Sequence, residues 1–281
     1  MHQANVMIEP DQQATGLGAD ITTMILTFNE EPNIARTIDA VAWAKEILIV
    51  DSGSTDATLT IAARYPNVRV VTRKFDTFAE QCNFGLAQVR TPWVLSMDAD
   101  YELTSAVAAE MQSLSPTESI SGYRVGFIYR IYGRPLRSTL YPPRAVLYRP
   151  QRARYHNEGH GHRVAIEGEV RELRGAIYHD DRKPLSRWLS SQQGYARREA
   201  DYLLAAPRSA LRRTDRIRRM GWPAPILVFF YTLFWKRCIL DGWAGWLYVL
   251  QRTLAETMIA LEIVDRRVRG VAANQDGGDG S

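Results

Sequence analysis

Four short apolar, β-branched runs alternate with segments of helical spacing between residues 22 and 97, and this alternation restricts the chain more than any other feature. The runs are Thr22 to Thr27 (TTMILT), Ile47 to Val50 (ILIV), Val68 to Val71 (VRVV) and Trp93 to Met97. The segments between them carry helix signals. Pro32 suits the first turn after Asn29 and Glu30, Ser54 or Thr55 can cap the second helix, and Thr77-Phe-Ala-Glu80 matches a capping box for the third. Pro66 and Thr91-Pro92 close two of these helices. Strands joined by helices need right-handed crossovers, so the expectation is an α/β fold on a mainly parallel sheet.

In open sheets of that kind ligands sit beyond the carboxyl ends of the strands. Polar clusters fall there each time: Thr27-Phe-Asn-Glu-Glu31 after the first strand, Asp51-Ser-Gly-Ser-Thr-Asp56 after the second, Asp98-Ala-Asp100-Tyr101 after the fourth. Asp51 at a strand end can take the N3 proton of a uracil while backbone groups meet its carbonyls. Ser54, Thr55 and Asp56 also suit a plain helix cap. Two carboxylates one residue apart, where a buried strand opens into solvent, suit the diphosphate of a sugar nucleotide. One can reach the ribose while the other holds a divalent cation, because hard oxygen ligands prefer Mg²⁺ or Mn²⁺.

Length and charge set the remaining bounds. A chain of 281 residues with 46% hydrophobic and 23% charged side chains buries a full core, which confines expected disorder to the ends, residues 1–20 and 272–281. Two cysteines, Cys82 and Cys238, form no disulfide framework and fit a reducing setting. The N-terminus lacks the apolar core of a signal peptide.

The segments LTFNEE (Leu26 to Glu31), VDSGSTDAT (Val50 to Thr58), Gln81-x-Asn83-x-Gly85 and the Asp98-Ala-Asp100 box resemble the nucleotide-sugar domain of the inverting family 2 glycosyltransferases. The whole chain resembles, more loosely, bacterial membrane-associated members related to lipopolysaccharide core β-glucosyltransferases. The resemblance implies a GT-A fold, a Rossmann-like mixed sheet flanked by helices, over residues 21–184. It divides that region into a nucleotide-sugar half, 21–101, and an acceptor half, 102–184. It puts Asp51 on the base, Asp98 near the ribose and Asp100 on Mg²⁺ or Mn²⁺, with Thr27, Asn29, Glu31, Gln81 and Asn83 lining the donor pocket.

Inverting transfer needs a group that takes the acceptor hydroxyl's proton as the new bond forms. The richest supply is Tyr155-His-Asn-Glu-Gly-His-Gly-His162, before the strand-like run Arg163 to Ile166. Glu158 is the chosen base and His160 its rival. A structural zinc site is disfavoured there, since no cysteine stands nearby at ligand spacing. In Ile177-Tyr-His-Asp-Asp-Arg-Lys-Pro184 a strand ends at His179 and a helix starts near Pro184. By the same resemblance His179 faces the metal. Arg182 and Lys183 are candidates to hold acceptor or phosphate.

Residues 185–271 read as helical. Ser186 to Leu204 has one apolar, aromatic face. Arg208 to Arg219 then carries six arginines against one aspartate, directly before the apolar stretch Trp222 to Trp235. That stretch has fourteen residues, short of the roughly 20 needed to cross a bilayer. Ile239 to Val264 mixes Trp243, Trp246 and Tyr248 with Asp241, Arg252, Glu256 and Glu262. The pattern predicts helices lying in an anionic membrane surface on the cytoplasmic face of the inner membrane, with a soluble helical hairpin as the alternative. Nucleic acid is disfavoured because no recognition motif accompanies the charge.

The expected activity is metal-dependent, inverting transfer of a hexose, glucose first, from a UDP-sugar to a lipid-linked saccharide. The alternatives are transfer to polyisoprenyl phosphate, served by Arg182 and Lys183, and a non-catalytic nucleotide-sugar-binding membrane protein. A dehydrogenase fits less well, because no G-x-G-x-x-G follows the first strand. Oligomeric state is left open.

Overall fold

The computed structural model describes residues 16–158 and 161–276. The apolar runs form β1 (Ile21–Thr27), β2 (Glu46–Asp51), β3 (Val68–Thr72) and β4 (Trp93–Asp98). They pair in the order β3-β2-β1-β4, all parallel. Between them lie α1 (Ile34–Ala40), α2 (Thr58–Ala62) and α3 (Phe78–Gln88). The inner strands β1 and β2 are buried almost throughout and β4 largely so, whereas β3, at the sheet edge, is only partly covered. The two-residue period sends Ile47 and Ile49 to the core containing Ile34, Ile38 and Trp93, and Leu48 and Val50 to the core containing Met24, Cys82 and Leu86.

Register decides what meets at the rim. Thr27 pairs with Asp51 and Leu26 with Asp98, so both acidic strand ends finish beside the end of β1. The sheet continues through β5 (Tyr101–Leu103), β6 (Ile120–Ile131), β7 (Arg134–Pro135), β8 (Arg144–Tyr148) and β11 (Glu169–His179), in the order β4-β8-β6-β11-β5 with β7 on β6. This half is mixed, since β8 runs antiparallel to both β4 and β6 and β11 antiparallel to β5. Here α4 (Ser105–Ser113), capped by Thr104, covers β11. In register, His179 faces Tyr101 on β5 and Tyr129 on β6. A separate hairpin, β9 (Ala153–Glu158) and β10 (Gly161–Ile166), packs on α3.

Two local expectations meet different outcomes. Thr77 caps α3 by accepting the Glu80 amide at 3.2 Å. Ser54 and Thr55 do not cap α2. That helix starts at Thr58, whose amide donates to Asp56 at 3.0 Å, because Ser54 is drawn to Asp51 instead.

From Leu185 onward the described residues are helical: α5 (Leu185–Ala205), α6 (Arg213–Met220), α7 (Pro223–Phe230) and α8 (Gly242–Asp276). A π-helical turn, Tyr231–Trp235, and a 3-10 turn, Cys238–Asp241, join α7 to α8, with Arg237 left-handed at φ 56°. Ala196, Ala200 and Leu203 of α5 pack on Ile259 and Ile263 of α8. Arg218 bridges the two helices by donating to Glu199 at 2.6 Å and Glu256 at 2.9 Å, which withdraws it from the exposed arginine cluster. Tyr248 accepts the Leu140 amide at 2.9 Å and, with Leu233, Cys238 and Val249, packs on Ile131 and Leu136, fixing α8 to the sheet.

Among the described residues no single helix is long and apolar enough to cross a membrane; Pro223–Trp235 and Cys238–Gly270 meet that test only as a pair bent by 66°. Trp222 and Trp235 are 70% and 75% exposed, and Ile226, Phe230, Phe234, Leu240 and Trp243 share the exposure.

Gly85 marks the closest approach of α3 to the sheet. A Cβ there would lie 2.5 Å from Met24 Sδ and 2.9 Å from Val50 Cγ2. Gly85→Ala is therefore expected to cost about 1–3 kcal/mol in urea unfolding; unchanged stability would show that α3 is not seated this tightly.

Candidate active site

The loops after β1 and β2 are knitted together. Asp51, fully buried, accepts from Thr27 Oγ1 at 2.9 Å, from the amides of Gly53 and Ser54 at 2.8 Å each, and from Ser54 Oγ at 2.5 Å. Both carboxylate oxygens are thus committed within the chain. Asp51 builds the loop at the rim, and direct contact with a base would require it to surrender one of these donors. Asn29, at φ 55°, accepts the Thr55 amide at 2.6 Å, while its own amide donates to Ser54 Oγ at 2.8 Å. Glu31 is exposed and its amide donates to Asp56 at 3.2 Å.

Gln81 and Asn83 are likewise committed. Gln81, 1% exposed, donates to Ser52 Oγ at 3.1 Å and the Arg73 carbonyl at 3.2 Å, and accepts from the Arg73 guanidinium at 2.9 Å. Asn83 exchanges two bonds with the backbone of Tyr155, at 2.9 and 3.0 Å. The Gln81-x-Asn83-x-Gly85 pattern therefore seats α3 between the β2 loop and β9.

The acidic box lies where β4 turns into β5. The Asp98 side chain makes no hydrogen bond among the described residues and stands within electrostatic reach of Arg144 on β8, whose guanidinium sits 4.5 Å from the centre of the Tyr141 ring. Burial would lower the Arg144 pKa, but Tyr101, Tyr141 and Asp98 outweigh it and hold the charge firmly. Asp100 faces His179, Oδ2 to Nε2, at 3.2 Å, each side chain 14% exposed. Burial alone would raise the Asp100 carboxyl, yet His179 and then Lys183 hold it below the usual carboxylate range. His179 rises in turn, with Asp100 overcoming the opposing effect of burial. The imidazole is boxed by the rings of Tyr129 and Tyr141 at 4.7 Å and Tyr101 at 5.3 Å, and Tyr101 and Tyr141 share a hydroxyl hydrogen bond.

Two atoms in this box lack partners. Asp100 Oδ1 and His179 Nδ1 are buried and unbonded among the described residues. A buried carboxylate oxygen without a donor is costly and calls for an ion or water. Among the described residues no three His, Cys, Asp or Glu side chains could hold a metal by themselves. A cation such as Mg²⁺ keeps waters and is bound through one or two carboxylates together with substrate phosphates. Asp100 and His179, with Asp98 two residues away, fit such a cation.

Arg182 and Lys183 are paired. Arg182 donates to buried Asp180 at 2.8 and 3.0 Å. Lys183 Nζ donates to both oxygens of Glu30 at 2.8 and 2.9 Å and lies 3.3 Å from Asp181. Burial pushes Glu30 up to about 7 against the pull of Lys183. For Lys183 burial acts downward, but Asp100, Glu30 and Asp181 together keep it above its ordinary value. A phosphate at either cation would have to displace a carboxylate. Glu158 has its backbone at the hairpin tip, paired with Gly161, and only its backbone is described; His160 lies outside the described residues. The neighbouring Asn157 meets the start of α3, accepting the Ala79 amide at 3.4 Å.

Residues 22–166, just over half of the chain, match the family model of Glycosyl transferase family 2. The chain belongs to this family. Among curated relatives, the lipopolysaccharide core biosynthesis glycosyltransferase LpsC of Rhizobium meliloti (strain 1021) is 32% identical over 110 residues, 37% of this chain and 41% of that protein. The uncharacterized glycosyltransferase RT0209 of Rickettsia typhi (strain ATCC VR-144 / Wilmington) is 33% identical over 104 residues, 37% of this chain and 35% of that protein. The chain spans less than half the length of these curated relatives. Among solved structures, the mannosyltransferase PcManGT from Pyrobaculum calidifontis in complex with GDP-Man and Mn²⁺ aligns with a TM-score of 0.47 at 14% identity, covering 90% of this chain and 87% of that one. S. aureus TarS 1-349 in complex with UDP-GlcNAc gives 0.45 at 13%, covering 84% and 90%. Neither likeness assigns a role to any residue of this chain.

Tyr129, Tyr141 and Arg144 complete the site without having been named in the sequence, and Glu30 and Tyr101 stood in the rim clusters without an assigned role. For Glu30 the signal was its place in the first rim cluster; the tyrosines and Arg144 converge from β5, β6, β8 and the segment before β8, which no local spacing reveals.

The loop role of Asp51 is directly measurable. In Asp51→Asn an amide NH₂ replaces one acceptor oxygen among four donors, so unfolding stability should fall by about 1–3 kcal/mol. A variant with parental stability that has lost only nucleotide affinity would instead make Asp51 a base-contacting residue.

Proposed function

We propose that this chain is a metal-dependent inverting glycosyltransferase that moves a hexose, glucose first, from a UDP-sugar to a lipid-linked saccharide such as a lipopolysaccharide core. The observation that carries the reading is the unpartnered Asp100 oxygen beside His179 and Asp98, at the strand-end rim where a dinucleotide-type ligand binds. Asp100 and His179 would hold Mg²⁺ or Mn²⁺, and the cation would supply charge neutralisation for the leaving diphosphate. Asp98 lies next to the position of the ribose. Asp51 and Asn29 shape the loop that receives the base, with Thr27 and Glu31 at its edge and Gln81 and Asn83 behind it.

Glu158 is the residue proposed to take the proton from the acceptor hydroxyl, with His160 its rival. Transfer to polyisoprenyl phosphate is the weaker reading, because Arg182 and Lys183 are already neutralised by Asp180, Glu30 and Asp181.

The exposed aromatic face of α7, the π turn and the start of α8 supports membrane attachment, since contiguous exposed apolar surface of this kind marks an interaction site. Exposed Arg208, Arg212, Arg213 and Arg216 give the adjoining surface the charge an anionic leaflet attracts. The geometry suits one leaflet of the inner membrane's cytoplasmic face, keeping enzyme and lipid-linked acceptor on one surface.

Full-length protein incubated with radiolabelled UDP-glucose, Mn²⁺ and bacterial membranes should label a lipid-linked saccharide, and Asp100→Ala should abolish that labelling. Full activity in the variant would remove Asp100 from the metal site. Glu158→Gln should lower turnover by roughly 10²- to 10⁴-fold with UDP affinity retained; equal loss of both would make Glu158 part of the pocket wall. In sedimentation with phosphatidylglycerol vesicles the chain should bind, and Trp222→Ser with Trp235→Ser should release most of it; undiminished binding would locate the membrane contact elsewhere.

A further inference from the structure

A cavity of about 170 Å³ opens where the sheet meets the helical region. Tyr129, Tyr132, Asp181, Lys183, Trp188 and Gln251 are among its lining residues. It adjoins the metal pair, because the Tyr129 ring that borders it also packs 4.7 Å from His179. Asn29, Asp51, Ser54 and Thr55 of the knitted loops are not among its lining residues, and nothing in the transfer chemistry above uses Tyr132, Trp188 or Gln251.

The wall chemistry selects a ligand class. Its one cation offers no free charge: the three protons of the Lys183 ammonium face three carboxylate oxygens, two on Glu30 and one on Asp181. The trio carries no net positive charge, so a phosphate or pyrophosphate would meet desolvated carboxylates with no cation to offset them. Asp181 uses Oδ1 for the Asn33 amide at 3.2 Å and the Lys183 backbone amide at 3.1 Å, which leaves Oδ2 without a hydrogen bond among the described residues. The Gln251 amide and the Tyr132 hydroxyl likewise have none there. Trp188 and Tyr132 add flat aromatic surface, Tyr132 being 54% exposed on a left-handed turn at φ 47°.

Aromatic faces combined with an uncommitted carboxylate oxygen and a planar amide match a neutral polyol whose C–H face stacks and whose hydroxyls donate and accept. We propose that this cavity is the subsite for the acceptor's own sugar ring, an uncharged pyranoside stacked against Trp188 and Tyr132 and hydrogen-bonded by Asp181 Oδ2 and Gln251. The proposal rests on the glycosyl-transfer reading and narrows it to a saccharide acceptor. Because Gln251 belongs to α8 and Trp188 to α5, the helical region then helps to read the acceptor as well as to position the enzyme.

Saturation-transfer NMR on the full chain with UDP and Mn²⁺ tests this, using a panel of methyl hexopyranosides and heptopyranosides as probes and farnesyl phosphate as competitor. At least one glycoside should give a saturable signal that farnesyl phosphate does not displace. Trp188→Ala and Gln251→Ala should each weaken it by about fivefold or more, while UDP–Mn²⁺ still raises the melting temperature as in the parent. Should Trp188→Ala fail to fold, Gln251→Ala and Asp181→Asn carry the same comparison. No saturable glycoside signal in a parent that binds UDP would overturn the subsite and leave glycosyl transfer standing. Displacement by farnesyl phosphate that Lys183→Met abolishes would overturn it in favour of a phosphate site. A parent that binds neither UDP nor glycoside would overturn the transfer reading itself.

Discussion

The contact between Asp100 and His179 is the interaction on which the site depends. Its two residues come from sequence positions far apart and meet because β11 pairs with β5 in the register that sets His179 opposite Tyr101. Both side chains are largely withdrawn from water, and a buried carboxylate is tolerated only with compensating charge. His179 supplies part of that charge, with Lys183 acting from further off. The remaining Asp100 oxygen stays unmet. The fold buries a carboxylate, boxes its histidine in three tyrosine rings and leaves one oxygen bare, which is the place the proposed cation would complete.

Around this centre the chain spends its polar groups on rigidity. Four donors converge on Asp51, Asn29 ties the loop after β1 to the loop after β2, and Arg187 of α5 reaches back to the Phe28 carbonyl at 2.5 Å. Loops fixed in this way present backbone groups to a ligand without ordering on binding, which preserves affinity. Lys183 performs a similar office by linking Glu30 and Asp181 across the rim.

Much of the nucleotide half was legible because local rules agree there. The four β-branched runs fell within a residue or two of β1 to β4, and the capping box at Thr77 held, since propensity, period and caps all point the same way. The acidic strand ends were legible for the same reason. Individual roles were harder to read. Asp51, Gln81 and Asn83 look like ligand contacts in sequence, yet their hydrogen bonds are consumed by the scaffold, a distinction that depends on which backbone amides fold back onto them. Arg182 and Lys183 look like phosphate binders until the side chains of their sequence neighbours Asp180 and Asp181 turn back onto them and tertiary contact brings Glu30 to Lys183. The tyrosine box around His179 arises only from strand register. In the helical region the apolar stretches were evident, but the π turn and the left-handed Arg237 that break them were not, because the only glycine at the break among the described residues, Gly242 at φ 60°, comes where α8 begins.

The metal assignment can be tested at a single nitrogen. Electron spin echo spectra of Mn²⁺ added to the full chain with UDP should show modulation from one imidazole nitrogen, and that modulation should vanish in His179→Gln while Mn²⁺ still binds more weakly. A parent spectrum with bound Mn²⁺ and no nitrogen coupling would contradict a cation seated between Asp100 and His179.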